Sequence, residues 1–264
     1  MKQQLRAFYR FFVAFGIDPR KTIISLRGFP FYLRNFWSFR QQGASALDKF
    51  PFGSVYPCLD ERFAESGSIK GHYFHQDLLV ARAIYHNKPT NHVDIGSRVD
   101  GFVAHVASFR QITVIDIRRL SNTIPNITFV QADIMSAIPG DLIDYCDSLS
   151  CLHALEHFGL GRYGDPVTFD GHLCGLRNLK KILKAGGKLY LSVPFGPQRV
   201  EFNAHRVFCL AYLMERFEGD FKIDSFSYVN DIGDLHENIP LTENDVQNNF
   251  GCTYGCAIFE LTKL

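Results

Sequence analysis

From residue 76 onward, short apolar runs alternate with helical ones, and this constrains the fold more than any other feature of the chain. NHVDIG, QITVIDI, ITFVQADI, YCDSLSCL and KLYLSVPFG are short apolar runs that read as buried strands, the first closed by glycine and the last stopped by Pro194. QDLLVARAIYH, DGFVAHVASF and GHLCGLRNLKKILKAGG carry helical spacing, the last closed by glycines. AHRVFCLAYLMERF reads as a further helix, FKIDSFSYV as a strand and GCAIFELTKL as the last strand. Strands alternating with helices imply an α/β fold, with a mostly parallel sheet of seven strands covered on both faces. Only a polar loop, residues 231–251, joins the final two strands, so they are expected to pair antiparallel.

In such a sheet a ligand sits beyond the carboxyl ends of the strands. Asp94 and Gly96 follow the first strand, Asp116 the second, Asp133 the third, and Ser150 to His153 the fourth. Taken singly, Asp116 could cap a turn and Asp133 a helix. Their ordered recurrence points to a small-molecule site. Dinucleotide binding wants G-x-G-x-x-G, whereas four residues separate Gly96 from Gly101, and no Gly-Lys-Ser/Thr follows for a P-loop.

Residues 151–166 read CLHALEHFGLGRYGDP. His153, Glu156 and His157 fall at i, i+3 and i+4, and on a helix they share one face. H-x-x-E-H is also a zinc-peptidase signature, but it needs a peptidase fold around it, and here it follows the fourth strand of a dinucleotide-type sheet. The loop beyond adds Arg162, Tyr163 and Asp165 among three glycines. It reads either as an acceptor-facing lid, with Arg162 for an anionic group, or as a turn held by an Arg–Asp pair. His72, Tyr73, His75 and Gln76 either roof the pocket or start a helix.

Strand-D-x-G, an acid closing the next strand, A-D-I, and then D-x-x-x-C-x-x-x-L-E-H resemble the class I S-adenosylmethionine (SAM) dependent methyltransferases. The resemblance covers residues 76–264 and includes the antiparallel last strand, so it implies a Rossmann-like fold. It also implies roles. Gly96, with Ser97 and Arg98 in its loop, would lie against the methionine moiety, oriented by Asp94. Asp116 would accept from both ribose hydroxyls beside Ile117. Asp133 would meet the adenine amino group beside Ile134, and Ser150 at the end of the fourth strand would be among the cofactor-binding residues. The family's D-x-G-x-G-x-G reads here Asp94-Ile95-Gly96-Ser97-Arg98-Val99-Asp100-Gly101, with Arg98 at the second glycine position. Arg98 either pairs with the cofactor carboxylate or crowds the loop, and the second case leaves a non-catalytic binding or assembly module. GHYFHQDLLVARAI, LEHFGLGRYGDP and VEFNAHRVF resemble an uncharacterised branch of these proteins found in bacteria and nematodes.

H-x-x-E-H is also similar to the E-x-x-E-H stretch of small-RNA 2′-O-methyltransferases and ubiquinone-pathway O-methyltransferases. That resemblance implies one divalent metal ion on His153, Glu156, His157 and His205, the last in FNAHR. Without metal, the same stretch implies His157 as general base, with Glu156, His153 and Asp165 around it. The expectation is a SAM-dependent O-methyltransferase acting on a small-molecule or glycan acceptor, with a sugar hydroxyl of a glycan or glycolipid as its target.

Residues 1–70 are expected to form a basic, aromatic cap on the catalytic domain, residues 71–264. Residues 1–41 hold eight basic residues, Lys2 and Arg6 among them, against the single acid Asp18, interleaved with aromatics such as Phe8, Phe11, Phe15, Trp37 and Phe39. Pro19 and Pro30 break helical periodicity, so the aromatics are expected to pack on the main domain; contact with a membrane surface through residues 1–41 is the alternative. A net charge of +1 and the lack of a basic stripe in the catalytic half argue against nucleic acid as partner. Seven scattered cysteines without a C-x-x-C pair, and FFVAFGI too short to span a bilayer, set the expectation of a reducing, cytoplasmic setting.

Overall fold

The computed structural model describes residues 2–45, 50–67 and 69–264, with side chains from residue 8 on, so Lys2 and Arg6 lie outside the described side chains. The chain divides into two compact units, residues 1–68 and 69–264.

The first unit is built on helices α1 (Lys2–Ala14) and α2 (Pro19–Ser45). Asp18 caps α2, its carboxylate accepting from the Arg20 and Lys21 amides at 2.9 and 3.2 Å. Pro19 occupies the first helical position, where its missing N–H costs nothing. The expected break at Pro30 does not occur: the helix runs through it, giving up one backbone hydrogen bond within 27 residues. Gly28 is buried because the chain at Leu59 crosses there, and a Cβ would stand 1.8 Å from the Leu59 carbonyl oxygen.

The second unit holds an eight-stranded sheet of β1 (His92–Ile95), β2 (Ile112–Asp116), β3 (Ile127–Gln131), β4 (Cys146–Leu152), β5 (Leu183–Phe195), β8 (Phe221–Val229), β9 (Leu235–His236) and β10 (Gly255–Lys263), in the order 3-2-1-4-5-10-8-9. Strands β1 to β5 run parallel, and β10 inserts antiparallel between β5 and β8. The expected seven strands are present, and the two-residue β9 adds an eighth at the edge. Helix α3 (His72–Asn87), the helical turn Val99–Val103 and the short α4 (Ala104–Ala107) that follows it cover one face with Val80, Ile84, Phe102 and Val106. Helices α5 (Gly171–Ile182) and α6 (Leu210–Phe217) cover the other with Leu179, Ile182, Leu213 and Phe217. α7 (Glu243–Asn248) lies in the loop before β10, capped by Thr242.

Two boundaries differ from expectation. α5 ends at Ile182, and Gly186, at φ +74°, lies inside β5 where the register with β4 shifts. The run AHRVF is not helical. It forms β7 (His205–Val207), paired with β6 (Arg199–Glu201) in a hairpin turning at Asn203, and α6 begins only at Leu210.

Candidate active site

At the carboxyl end of β1, Gly96 takes φ +74°, and a Cβ there would stand 3.0 Å from that of Ala154. Asp94 fixes this turn from beneath. Its carboxylate accepts from the Ser97 amide (3.0 Å), the Ser97 hydroxyl (2.8 Å) and the Ser150 hydroxyl (2.6 Å). Burial nonetheless pushes the Asp94 carboxyl up to about 6, against the pull of these bonds. Ser150 therefore supports the loop from behind and is fully buried.

Two adjoining cavities open above the strand ends. One is lined by Gly96, Asp116, Ile117, Asp133 and Ile134 among others. The other is lined by Tyr73, Asp77, Ser97, Arg98, Gly101 and Arg162 among others. Gly96, Arg118, His153, His157 and Tyr163 border both. The acids expected to face a nucleoside are thus gathered in one wall, although each also has a local partner. Asp116 accepts from Nε and Nη2 of Arg118 at 3.0 and 2.5 Å, and Asp133 accepts from the Met135 amide at 2.8 Å. Arg98 does not crowd the loop. Its guanidinium turns to the exposed rim and pairs with Asp100 at 2.9 and 2.6 Å.

The stretch HALEH is not an α-helix. His153 leaves β4 in the left-handed region at φ 49°, and Leu155–His157 make a single 3₁₀ turn. Glu156 still gathers both histidines: its Oε1 lies 2.7 Å from His153 Nδ1 and 3.7 Å from His157 Nε2. Burial raises the Glu156 carboxyl, but the neighbouring His153 outweighs it and holds the group below its ordinary range. Burial likewise opposes a charged His153 and is outweighed by Cys256 and Glu156, which lift it well above the ordinary imidazole range. His157 differs. Its Nδ1 donates to the Ala204 carbonyl at 2.7 Å, which leaves the Nε2 lone pair available, and burial lowers its basicity.

The four residues expected to hold a metal ion do not converge. His205 sits on the hairpin, its Nε2 buried without a hydrogen-bond partner and 3.8 Å from Glu201 Oε2. The backbone turn at His153 directs its Nε2 to His72 Nδ1, 3.2 Å away. Among the described residues, the group whose ligand atoms lie within 4.8 Å of one another is His72, His153 and Cys256. Asp165, expected among the catalytic groups, spends both carboxylate oxygens on the Gly159, Gly161 and Tyr163 amides and shapes the loop. The Arg–Asp pair envisaged there is absent from the described contacts; Arg162 donates to the Ala204 carbonyl at 3.0 Å.

Three participants were not foreseen. Asp77 is buried beside Gly101, whose Cβ would lie 3.1 Å from Asp77 Oδ2, and burial raises its carboxyl. A lone acid inside the apolar run QDLLVARAI was its signal. Arg118 straddles both cavities with its guanidinium 4.6 Å from the centre of the Tyr163 ring. Arg206, buried, donates to the Phe158 and Phe169 carbonyls at 2.6 and 2.9 Å and ties the loop to the hairpin.

Residues 119–253, just over half of the chain, match the family described as Caenorhabditis protein of unknown function, DUF268. The chain belongs to this family. No curated protein matches it. Among solved structures it is similar to the N-methyltransferase NodS from Bradyrhizobium japonicum WM9 in complex with S-adenosyl-L-homocysteine, at 14% identity over 72% of this chain and 85% of that one, TM-score 0.47. It is also similar to the [4+2]-cyclase SpnF, at 13% identity over 75% and 85%, TM-score 0.49. A third is the 1,6-didemethyltoxoflavin-N1-methyltransferase of Burkholderia thailandensis, at 16% identity over 71% and 78%, TM-score 0.46. The family member described here has the class I methyltransferase architecture in its own strand order, with five parallel strands and a reversed strand inserted beside the fifth.

Proposed function

We propose that this protein is a SAM-dependent methyltransferase acting on oxygen, with a sugar hydroxyl of a glycan or glycolipid as acceptor. One observation carries the reading: His157, with Nδ1 committed and Nε2 unprotonated, borders both cavities, where a donor on one side and an acceptor on the other would meet. The residues present fit the cofactor. The left-handed turn at Gly96 gives a close backbone approach, Asp116 offers two oxygens to a ribose diol once Arg118 releases them, and Asp133 with Ile134 faces the base. When bound, the cofactor supplies an electrophilic methyl group. His157 Nε2 takes the proton of the acceptor hydroxyl, and the Ala204 carbonyl steadies the resulting imidazolium through Nδ1. Tyr73, Tyr163 and Arg162 around the second cavity supply the aromatic faces and charge that suit a polar ring. After β4 the chain reads Ser150-Cys151-Leu152-His153, without an Asn-Pro-Pro-Tyr stretch to hold an amide.

The test is calorimetric titration of the full chain with S-adenosylhomocysteine, beside Asp116→Ala. Binding that the substitution weakens at least about tenfold, as loss of a charge-assisted pair of hydrogen bonds requires, supports the reading. No binding, or equal binding by both proteins, overturns it.

A further inference from the structure

Phe8, Phe11 and Phe12 of α1 and Phe15, just past its end, fall at i, i+3, i+4 and i+7, a single helical face that the Phe15 amide continues by donating to the Phe11 carbonyl, and all are exposed. In α2, Leu26, Phe29, Leu33 and Trp37 repeat the pattern at i, i+3, i+7 and i+11, with exposures from 40% to 68%. An apolar stripe of this extent left in water implies an occupant. Arg27 and Arg34 lie about a quarter-turn around α2 from its stripe. Over residues 8–45 there are six basic residues, all exposed, against one acid, Asp18, whose carboxylate is engaged in capping α2.

We propose that this basic, aromatic helical unit docks on the surface of an anionic phospholipid bilayer, with the stripes of α1 and α2 among the upper acyl chains and the arginines at the lipid phosphates. Such a surface satisfies both observations at once: acyl chains take up phenylalanine, leucine and tryptophan, and phosphates take up the charge. Nucleic acid would satisfy the charge but leave the aliphatic stripe wet. A second copy of the unit would cover the stripe but bring like charges together. No helix among the described residues is long and apolar enough to cross a membrane, so the contact lies in the interface. The inference is independent of the reaction proposed above.

Trp37 is the only tryptophan in the chain and lies on the α2 stripe, so its fluorescence reports this face directly. The experiment is flotation of the full chain with phosphatidylcholine vesicles, with and without phosphatidylglycerol, alongside the emission spectrum of Trp37. Expected are binding that requires phosphatidylglycerol, a blue shift of Trp37 on binding, and weakening by added salt. Arg27→Gln with Arg34→Gln should lower the partition coefficient at least about thirtyfold. Leu26→Ser with Phe11→Ser should lower it too, with the circular dichroism spectrum unchanged because these side chains are exposed. Three results overturn the proposal: equal binding to neutral vesicles, binding without a change in Trp37 emission, or a blue shift that follows protein concentration without vesicles.

Discussion

Asp94 offers a prediction whose sign and size follow from its surroundings. The carboxyl is fully buried and its pKa rises from 3.8 to about 6, because desolvation outweighs hydrogen bonds from Ser97 and Ser150. A group more basic in the folded than in the unfolded chain favours folding while protonated and loses that advantage as pH rises from 3.8 through about 6. The full difference corresponds to about 3 kcal/mol, at 1.36 kcal/mol per pH unit. Asp94→Asn removes the charge and keeps the shape. The amide oxygen can accept from the Ser97 amide, and its NH₂ can donate to a serine hydroxyl. Ser150 can turn its own proton to His92 Nε2, 3.2 Å away and held neutral by burial. Allowing for weaker hydrogen bonds to a neutral group, the variant should be more stable than wild type by about 1–2 kcal/mol above pH 6 and indistinguishable from it near pH 4. For a domain of this size that is about 2–8 °C in Tm. Thermal unfolding of both proteins by circular dichroism, from pH 4 to 8, reads it. A wild type that gains on the variant as pH rises would refute the reasoning, since that is the signature of a depressed carboxylate.

Glu156→Gln has the opposite sign. Glu156, held below its ordinary 4.5, stabilises above that pH and ceases to as pH falls through its folded value. His153, raised above 6.5, stabilises below that pH and ceases to as pH rises through its folded value. The variant should therefore lose most, about 3–5 kcal/mol, between pH 4.5 and 6.5, as urea unfolding will measure. His157→Gln should leave S-adenosylhomocysteine affinity unchanged and lower kcat by about 10²–10⁴, and the loss of rate on acidification below pH 6.5 expected of the wild type should be absent from the variant. Gly159→Ala would place a Cβ 2.1 Å from the Thr168 carbonyl oxygen, whereas Gly164→Ala meets nothing within 4 Å; both have positive φ. The second should cost about 1–2 kcal/mol and the first clearly more, and equal losses in denaturant melts would contradict the packing described. Arg118→Leu frees Asp116 and should tighten S-adenosylhomocysteine binding by up to about fivefold; weaker binding by calorimetry would place Arg118 on the cofactor instead.

What the sequence made legible was whatever repeats. Buried strands recur as apolar runs, and their carboxyl ends recur as acids or glycine, so the sheet, its reversed last strand and the wall of Asp116 and Asp133 could be read before any coordinate. What escaped depends on single backbone angles and on contacts between distant segments. The i, i+3, i+4 spacing of His153, Glu156 and His157 suits an α-helix, yet Glu156 collects both histidines from a strand end and one 3₁₀ turn, because a left-handed His153 shortens the path between them. The same turn leaves His153 Nε2 3.2 Å from His72 Nδ1, in a helix eighty-one residues earlier. Pro30 misled for a related reason: a proline costs a helix one hydrogen bond and some straightness, and a helix of 27 residues survives that loss. The arrangement that results is asymmetric. His153 is clamped between a carboxylate and a second imidazole, while His157, one hydrogen bond from the Ala204 carbonyl, keeps a lone pair. Two histidines four residues apart thus carry different chemistry: at His153 Cys256 and Glu156 outweigh burial and favour the imidazolium, whereas at His157 burial outweighs Glu156 and the Ala204 carbonyl and leaves a neutral base.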